Sequence, residues 1–141
     1  MIPWIRTRYA VTRDANRTII GGYSDGGAAA LFTAMKRPDL FGNVLSLSGA
    51  FWEGHGVTKS EFLASQYAET PKLPLHFFIE AGSLEDIAQE GPSLLAANRH
   101  LVEILRKKKY EVSYEEVGGT HEPVHWRDTL SDGLISLSKD F

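Results

Sequence analysis

Residues Gly22-Tyr23-Ser24-Asp25-Gly26 set a serine between two glycines in the pattern Gly-x-Ser-x-Gly. That pattern has chemical meaning only where a strand runs into it and a helix runs out. A sharp turn then lifts the hydroxyl above the strand ends, and the helix N-terminus offers N–H groups and positive potential to an oxyanion. The flanks meet this condition. Thr18-Ile19-Ile20-Gly21-Gly22 is a short β-branched run that stops at glycines, and the stretch from Gly26 to Met35 is alanine-rich and helical in character. Ser24 is therefore the candidate nucleophile, and the backbone N–H of Asp25 is a candidate oxyanion donor. The competing role for such a serine is as the N-cap of the helix that follows.

A serine nucleophile needs a base, and histidine is the side chain whose ordinary pKa best suits that task. The chain offers His55, His76, His100, His121 and His125. His76 falls in an apolar strand pattern and His100 in the longest helical pattern, which makes both packing or surface residues. His55 sits in a glycine-rich loop that could line a pocket. His121 follows Val117-Gly118-Gly119-Thr120, a loop directly after the last strand pattern, where the histidine of a Ser…acid…His order belongs. His121 is the expected base. The orienting carboxylate should lie on the loop after the preceding strand, and Ala81-Gly82-Ser83-Leu84-Glu85-Asp86 supplies Glu85 and Asp86, with Glu90 further along. Glu85 leads this group without excluding the others, since acidic residues also favour helix starts for reasons of charge alone.

His121-Glu122-Pro123-Val124-His125 also spells the H-E-x-x-H signature of zinc proteases. That chemistry needs both histidines on one face of a continuous helix. Pro123 fits only a first helical turn, and the preceding Gly-Gly-Thr puts His121 outside it, so no metal site is expected.

Strand patterns at 18–22, 43–48, 75–80 and 111–117 alternate with helical patterns at 26–36, 59–69, 93–109 and 123–137, and a short helix fits Trp4 to Tyr9. The clearest helix carries Leu94, Ala97, Leu101, Ile104 and Leu105 on one face. Such alternation implies an α/β fold: a mostly parallel sheet of about four strands with flanking helices, in one domain over residues 1–141.

Composition narrows the partners. With 15 Lys and Arg against 18 Asp and Glu, the net charge of −3 gives no basic surplus for nucleic acid or anionic lipid. The absence of cysteine removes thiol catalysis, disulfides and Cys-ligated metal, and serine chemistry calls for no cofactor. No apolar run is long enough to cross a bilayer, and Met1-Ile2-Pro3-Trp4-Ile5-Arg6 lacks the regions of a signal peptide, so a cytoplasmic location is expected.

The segment Arg17-Thr18-Ile19-Ile20-Gly21-Gly22-Tyr23-Ser24-Asp25-Gly26-Gly27 resembles the nucleophile segment of the enterochelin esterase-like branch of the α/β-hydrolases. Arg37-Pro38-Asp39-Leu40-Phe41-Gly42 and Leu47-Ser48-Gly49-Ala50-Phe51-Trp52 are similar to that family's next helix end and strand. Ala97-Asn98-Arg99-His100-Leu101, Gly118-Gly119-Thr120-His121-Glu122 and Trp126-Arg127 resemble its C-terminal portion. The resemblance implies a serine carboxylesterase with Ser24 as nucleophile and His121 as base, and siderophore-like esters as one substrate class; so little chain for a lid or a large pocket points first to short-chain carboxylic esters. It departs from the family's Gly-Gly-His-Asp at Thr120 and Glu122, and the acid is the least direct transfer. Tyr23, Phe51 and Trp52, and with them Trp126, are candidates to line a substrate pocket or, equally, to be core.

The family also implies strands ahead of the elbow and a second oxyanion donor among them, for which the residues before Ser24 are too few. A truncated or minimal α/β-hydrolase of this kind exposes its first strand's edge, so a homodimer or higher oligomer is expected. The competing function class is a catalytically impaired hydrolase fragment that serves as a binding or assembly module.

Overall fold

Short β-branched and aromatic runs that end at glycine, each followed by a helical stretch, fold here as successive parallel crossovers. The computed structural model describes residues 1–52, 61–86 and 92–141. Helix α1 (Ile2–Arg8) and one 3-10 turn (Ala15–Arg17) lead into β1 (Ile19–Tyr23), α2 (Asp25–Lys36), β2 (Asn43–Leu47), α3 (Phe62–Glu69), β3 (His76–Gly82), α4 (Leu94–Lys107), β4 (Glu111–Val117) and α5 (Pro123–Ser138). The four strands form one parallel sheet in the order β1-β2-β3-β4, so β1 and β4 are its edges. The α/β class and the four-stranded parallel sheet expected from the sequence are what the chain forms. None of the described helices is long and apolar enough to cross a membrane.

Pairing register separates the two faces. Ile20, Val44, Phe77, Ile79, Val112 and Tyr114 point to one side, where they join Leu31, Tyr67, Leu101 and Leu105 from α2, α3 and α4 in the main core. Ile19, Leu45, Leu47 and Phe78 point to the other, which among the described helices α5 covers, packing Trp126 and Leu137 on them. Gly133 lets α5 lie flat: a Cβ there would stand 2.7 Å from Leu45 Cδ1 and 2.8 Å from Phe78 Cδ1.

A single helix cannot cover a four-stranded face. β2 is buried along its whole length, whereas Gly21 and Tyr23 of β1 are exposed on the α5 side. A groove of about 500 Å³ runs between β1 and α5, with Tyr23, Leu45, Leu47, Trp126, Leu130 and Leu134 among its walls.

Candidate active site

Ser24, Glu85, Asp86 and His121 all follow the carboxyl ends of strands, where loops of an open parallel sheet converge. Ser24 links β1 to α2 with φ 54° and ψ −126°, a conformation an L-residue adopts only under constraint. The constraint is visible in its hydrogen bonds. The Ser24 N–H donates to Leu47 O at 3.1 Å, and its carbonyl accepts from Gly27 at 3.0 Å, Ala28 at 3.3 Å and Ala50 at 3.0 Å. The Ser24 hydroxyl does not cap α2, which leaves it available to a partner elsewhere.

Glycines around the elbow are required by close approach, though not all of them. A Cβ on Gly22 would overlap the Gly26 backbone, and one on Gly27 would press on Ser46 Oγ, whereas a Cβ on Gly26 would meet open space. The strand–helix contact thus depends on the first glycine of the motif and on the residue after its last.

His121 Nε2 lies 2.9 Å from Ser24 Oγ, and His121 Nδ1 lies 2.7 Å from Glu85 Oε1. The serine and histidine are 97 positions apart, and the histidine and glutamate 36. The second oxygen of Glu85 accepts the Gly82 N–H at 2.8 Å. The Glu85 side chain is almost fully buried, at 3% exposure, while His121 is 40% exposed toward the mouth of the site. A buried carboxylate with both oxygens in hydrogen bonds has one orientation, and it fixes which imidazole nitrogen carries the proton. With Nδ1–H donating to Glu85, Nε2 is the acceptor that faces the serine hydroxyl.

The two loops that carry Glu85 and His121 are built against each other. Ser83 N–H donates to Val117 O at 2.8 Å and Leu84 N–H to Gly119 O at 3.1 Å, and Gly82 has no space for a Cβ beneath Gly119 O. Asp86 turns elsewhere: its Oδ1 accepts from Ser93 Oγ at 2.6 Å, and Ser93 in turn caps α4 by accepting from Ala96 N–H at 3.1 Å. Asp86 ties a loop to a helix start and is not brought to His121. The Asp25 N–H is the first of α2 and has no acceptor within the helix, so it is available beside Ser24 to a developing negative charge.

The remaining histidines have other partners. His125 Nε2 is 2.9 Å from Glu80 Oε1, so the two histidines of the H-E-x-x-H sequence address different carboxylates. His121 precedes α5, whose N-cap is Glu122 and whose first residue is Pro123. His100 pairs with Glu61 at 2.7 Å on the surface, and His76 is exposed at the start of β3. Among the described residues no cluster of three or more His, Asp or Glu is arranged to hold a metal. His55 and Glu90 lie outside the described residues.

Of the aromatic candidates, Tyr23 is 56% exposed and stacks on Trp126 at 4.4 Å between centroids. Phe51 is 1% exposed and belongs to the main core. Trp52 is half-buried and packs between that core and the cluster of Ala81, Leu94 and Leu95. Trp126 holds more of the site together than its sequence pattern conveys. Its ring meets the His121 ring edge-on at 4.9 Å, and its Nε1–H donates to Ser48 Oγ at 2.9 Å. Glu80 went unmarked in the sequence; the signal for it is a charged residue closing the apolar run Leu75-His76-Phe77-Phe78-Ile79 of a central strand.

Known proteins share this arrangement of chain. The Iron(III) enterobactin esterase of Escherichia coli K12 is 30% identical over 140 residues, which are 97% of this chain and 34% of that protein. That of Dickeya dadantii is 32% identical over 134 residues. The crystal structure of the Shigella flexneri enterobactin esterase with 2,3-di-hydroxy-N-benzoyl-serine superposes with a TM-score of 0.86 at 30% identity, over 99% of this chain and 36% of that one. The S-formylglutathione hydrolase of Staphylococcus aureus, at 15% identity and a TM-score of 0.76, shares the fold. The chain thus spans about a third of the length of the enterobactin esterases it matches. The family described as Putative esterase matches residues 1–137, and the chain belongs to that family.

Proposed function

We propose that the chain is a serine-dependent carboxylic ester hydrolase. The observation that carries this reading is the run of hydrogen bonds from Ser24 Oγ through His121 to the buried carboxylate of Glu85. Ser24 attacks the ester carbonyl while His121 Nε2 takes its proton, and the Asp25 N–H stabilises the tetrahedral oxyanion. His121 then returns the proton to the leaving alcohol. Water enters by the same route and releases the acid from Ser24, with Glu85 holding the imidazole throughout. Short-chain carboxylic esters fit a site that opens directly beside Tyr23 and Trp126. Esters of the siderophore kind are the second class to try, since relatives bear the name enterobactin esterase. Full rate also requires a second oxyanion donor, whose loss is typically worth about 10²–10³ in turnover.

The test is hydrolysis of p-nitrophenyl acetate, butyrate and octanoate by the full chain. An initial burst equal to the enzyme concentration, with kcat/KM falling as the acyl chain lengthens, is the expected result. No turnover of any ester above the Ser24→Ala background would leave the chain as a binding or assembly module of the same fold.

We also propose that the chain self-associates. Tyr23, Leu130 and Leu134 are each 41–56% exposed and line the groove beside the edge of β1, which pairs with no strand among the described residues on that side. A parallel sheet rarely leaves such a face to water, and a second copy is a partner always present. Light scattering should give at least twice 15.7 kDa, and Leu130→Lys with Leu134→Glu should return the monomer mass. A monodisperse monomer in the unmodified chain would refute this.

A further inference from the structure

A carboxylate stands near the end of the apolar run of β3. Glu80 is fully buried on the α5 face of the sheet, in register with Leu47 of β2 and the exposed Glu115 of β4. Its Oε1 is 2.9 Å from His125 Nε2, and Thr129 Oγ1 donates to its Oε2 at 3.4 Å. The His125 side chain is 12% exposed, and both partners belong to the first two turns of α5. Burial pushes the Glu80 carboxyl above its ordinary range; His125 and Thr129 oppose this, and the nearby charge of Glu85 adds to it. Both carboxylate oxygens thus have partners from α5, which offsets the cost of burying the group.

This pair sits behind His121. Gly119, two residues before the candidate base, packs on the His125 ring so closely that a Cβ would overlap Nδ1. On its other side the Gly119 carbonyl accepts from Leu84 and abuts Gly82, in the turn that bears Glu85. The backbone of the His121 loop is therefore clamped between His125 and the Glu85 turn. The residue after His125 is Trp126, whose ring packs on His121 at 4.9 Å. Neither Glu80 nor His125 is hydrogen-bonded to Ser24, whose hydroxyl faces His121.

We propose that Glu80 and His125 are positioning residues: by fixing the first turn of α5 to β3 they hold His121 in line between Ser24 and Glu85. The proposal rests on the reading of Ser24, His121 and Glu85 as catalytic. A general base must keep its nitrogen within hydrogen-bond reach of the hydroxyl, so the loop that carries it has to be held fast.

The test uses the full chain and two independent readouts. The first is the low-field proton resonance of His121 Nδ1–H on Glu85, assigned by its loss in His121→Asn. The second is the division of any rate loss between kcat and KM on p-nitrophenyl acetate. Glu80→Gln, which keeps shape and removes the charge, should broaden or abolish that resonance and lower kcat about tenfold or more, with KM within twofold. His125→Leu should do the same. His125→Gln, whose side-chain amide can still donate to Glu80, should restore kcat to within about threefold. If either Glu80→Gln or His125→Leu folds and leaves both the resonance and kcat unchanged, the positioning role is wrong. Should the unmodified chain hydrolyse no ester, the reading of the site fails separately; the resonance then decides the positioning role alone, and its persistence in Glu80→Gln overturns it.

Discussion

Ser24→Ala is expected to remove the burst on p-nitrophenyl acetate and to lower kcat on the order of 10⁶-fold, toward whatever the binding site and oxyanion donor achieve alone. The expectation follows from geometry. Ser24 Oγ has His121 Nε2 as its partner at 2.9 Å and makes no cap to α2, so its loss costs the helix no hydrogen bond. The backbone at residue 24 keeps φ 54° in either case, because four backbone hydrogen bonds impose it. Alanine relieves nothing there, and stability should change by less than about 0.5 kcal/mol. A large loss of activity at constant stability is thus the specific signature. A fluorophosphonate probe should add its mass to the unmodified chain at Ser24 and leave the variant unlabelled. Turnover undiminished in Ser24→Ala would end the assignment.

The second large effect distinguishes two adjacent carboxylates. Glu85→Gln should lower kcat by about 10³–10⁴ with little change in KM, and Asp86→Asn should alter kcat by no more than about threefold. The difference lies in which nitrogen of His121 holds the proton. Glu85 accepts the Gly82 N–H with one oxygen and the His121 Nδ1–H with the other. A glutamine keeps its oxygen on Gly82 and turns its amide toward Nδ1, which must then accept. The proton moves to Nε2, and the nitrogen facing Ser24 can no longer receive one. Asp86 has its carboxylate on Ser93 at the start of α4, so its amide disturbs a helix junction at most. Steady-state kinetics of the two variants at one pH decide the matter, and equal losses at both positions would contradict it.

Much of the architecture was legible along the chain because it is governed by neighbours in sequence. Alternation of β-branched strands with amphipathic helices gave all four strands and the five helices within a few residues of their observed ends. Ala97, Leu101 and Leu105 on one stripe of α4 are all fully buried, as the spacing of that stripe implied. The serine turn was legible for the same reason: a strand, a glycine at position 22 and a helix are local features, and their junction forces the strained conformation of Ser24. Pro123, confined to a first helical turn, told in advance that His121 stands outside α5.

Contacts between loops far apart in the chain were legible only as candidates. Sequence order puts Glu85 only narrowly ahead of Asp86; the turn at Gly82, pressed against Gly119, aims one at His121 and the other at Ser93. Phe51 and Tyr23 looked alike as pocket residues, yet the side of the sheet each faces puts one in the core and leaves the other in water. The link between Glu80 and His125 spans 45 residues and depends on how α5 packs across β3, which no local pattern encodes. The sequence by itself thus determined the elements, the strained serine and the supply of histidines and carboxylates, because short-range sterics and periodic burial set these. Tertiary structure alone decided which carboxylate meets which histidine, because that choice depends on ångström-scale spacing between loops joined only through the sheet.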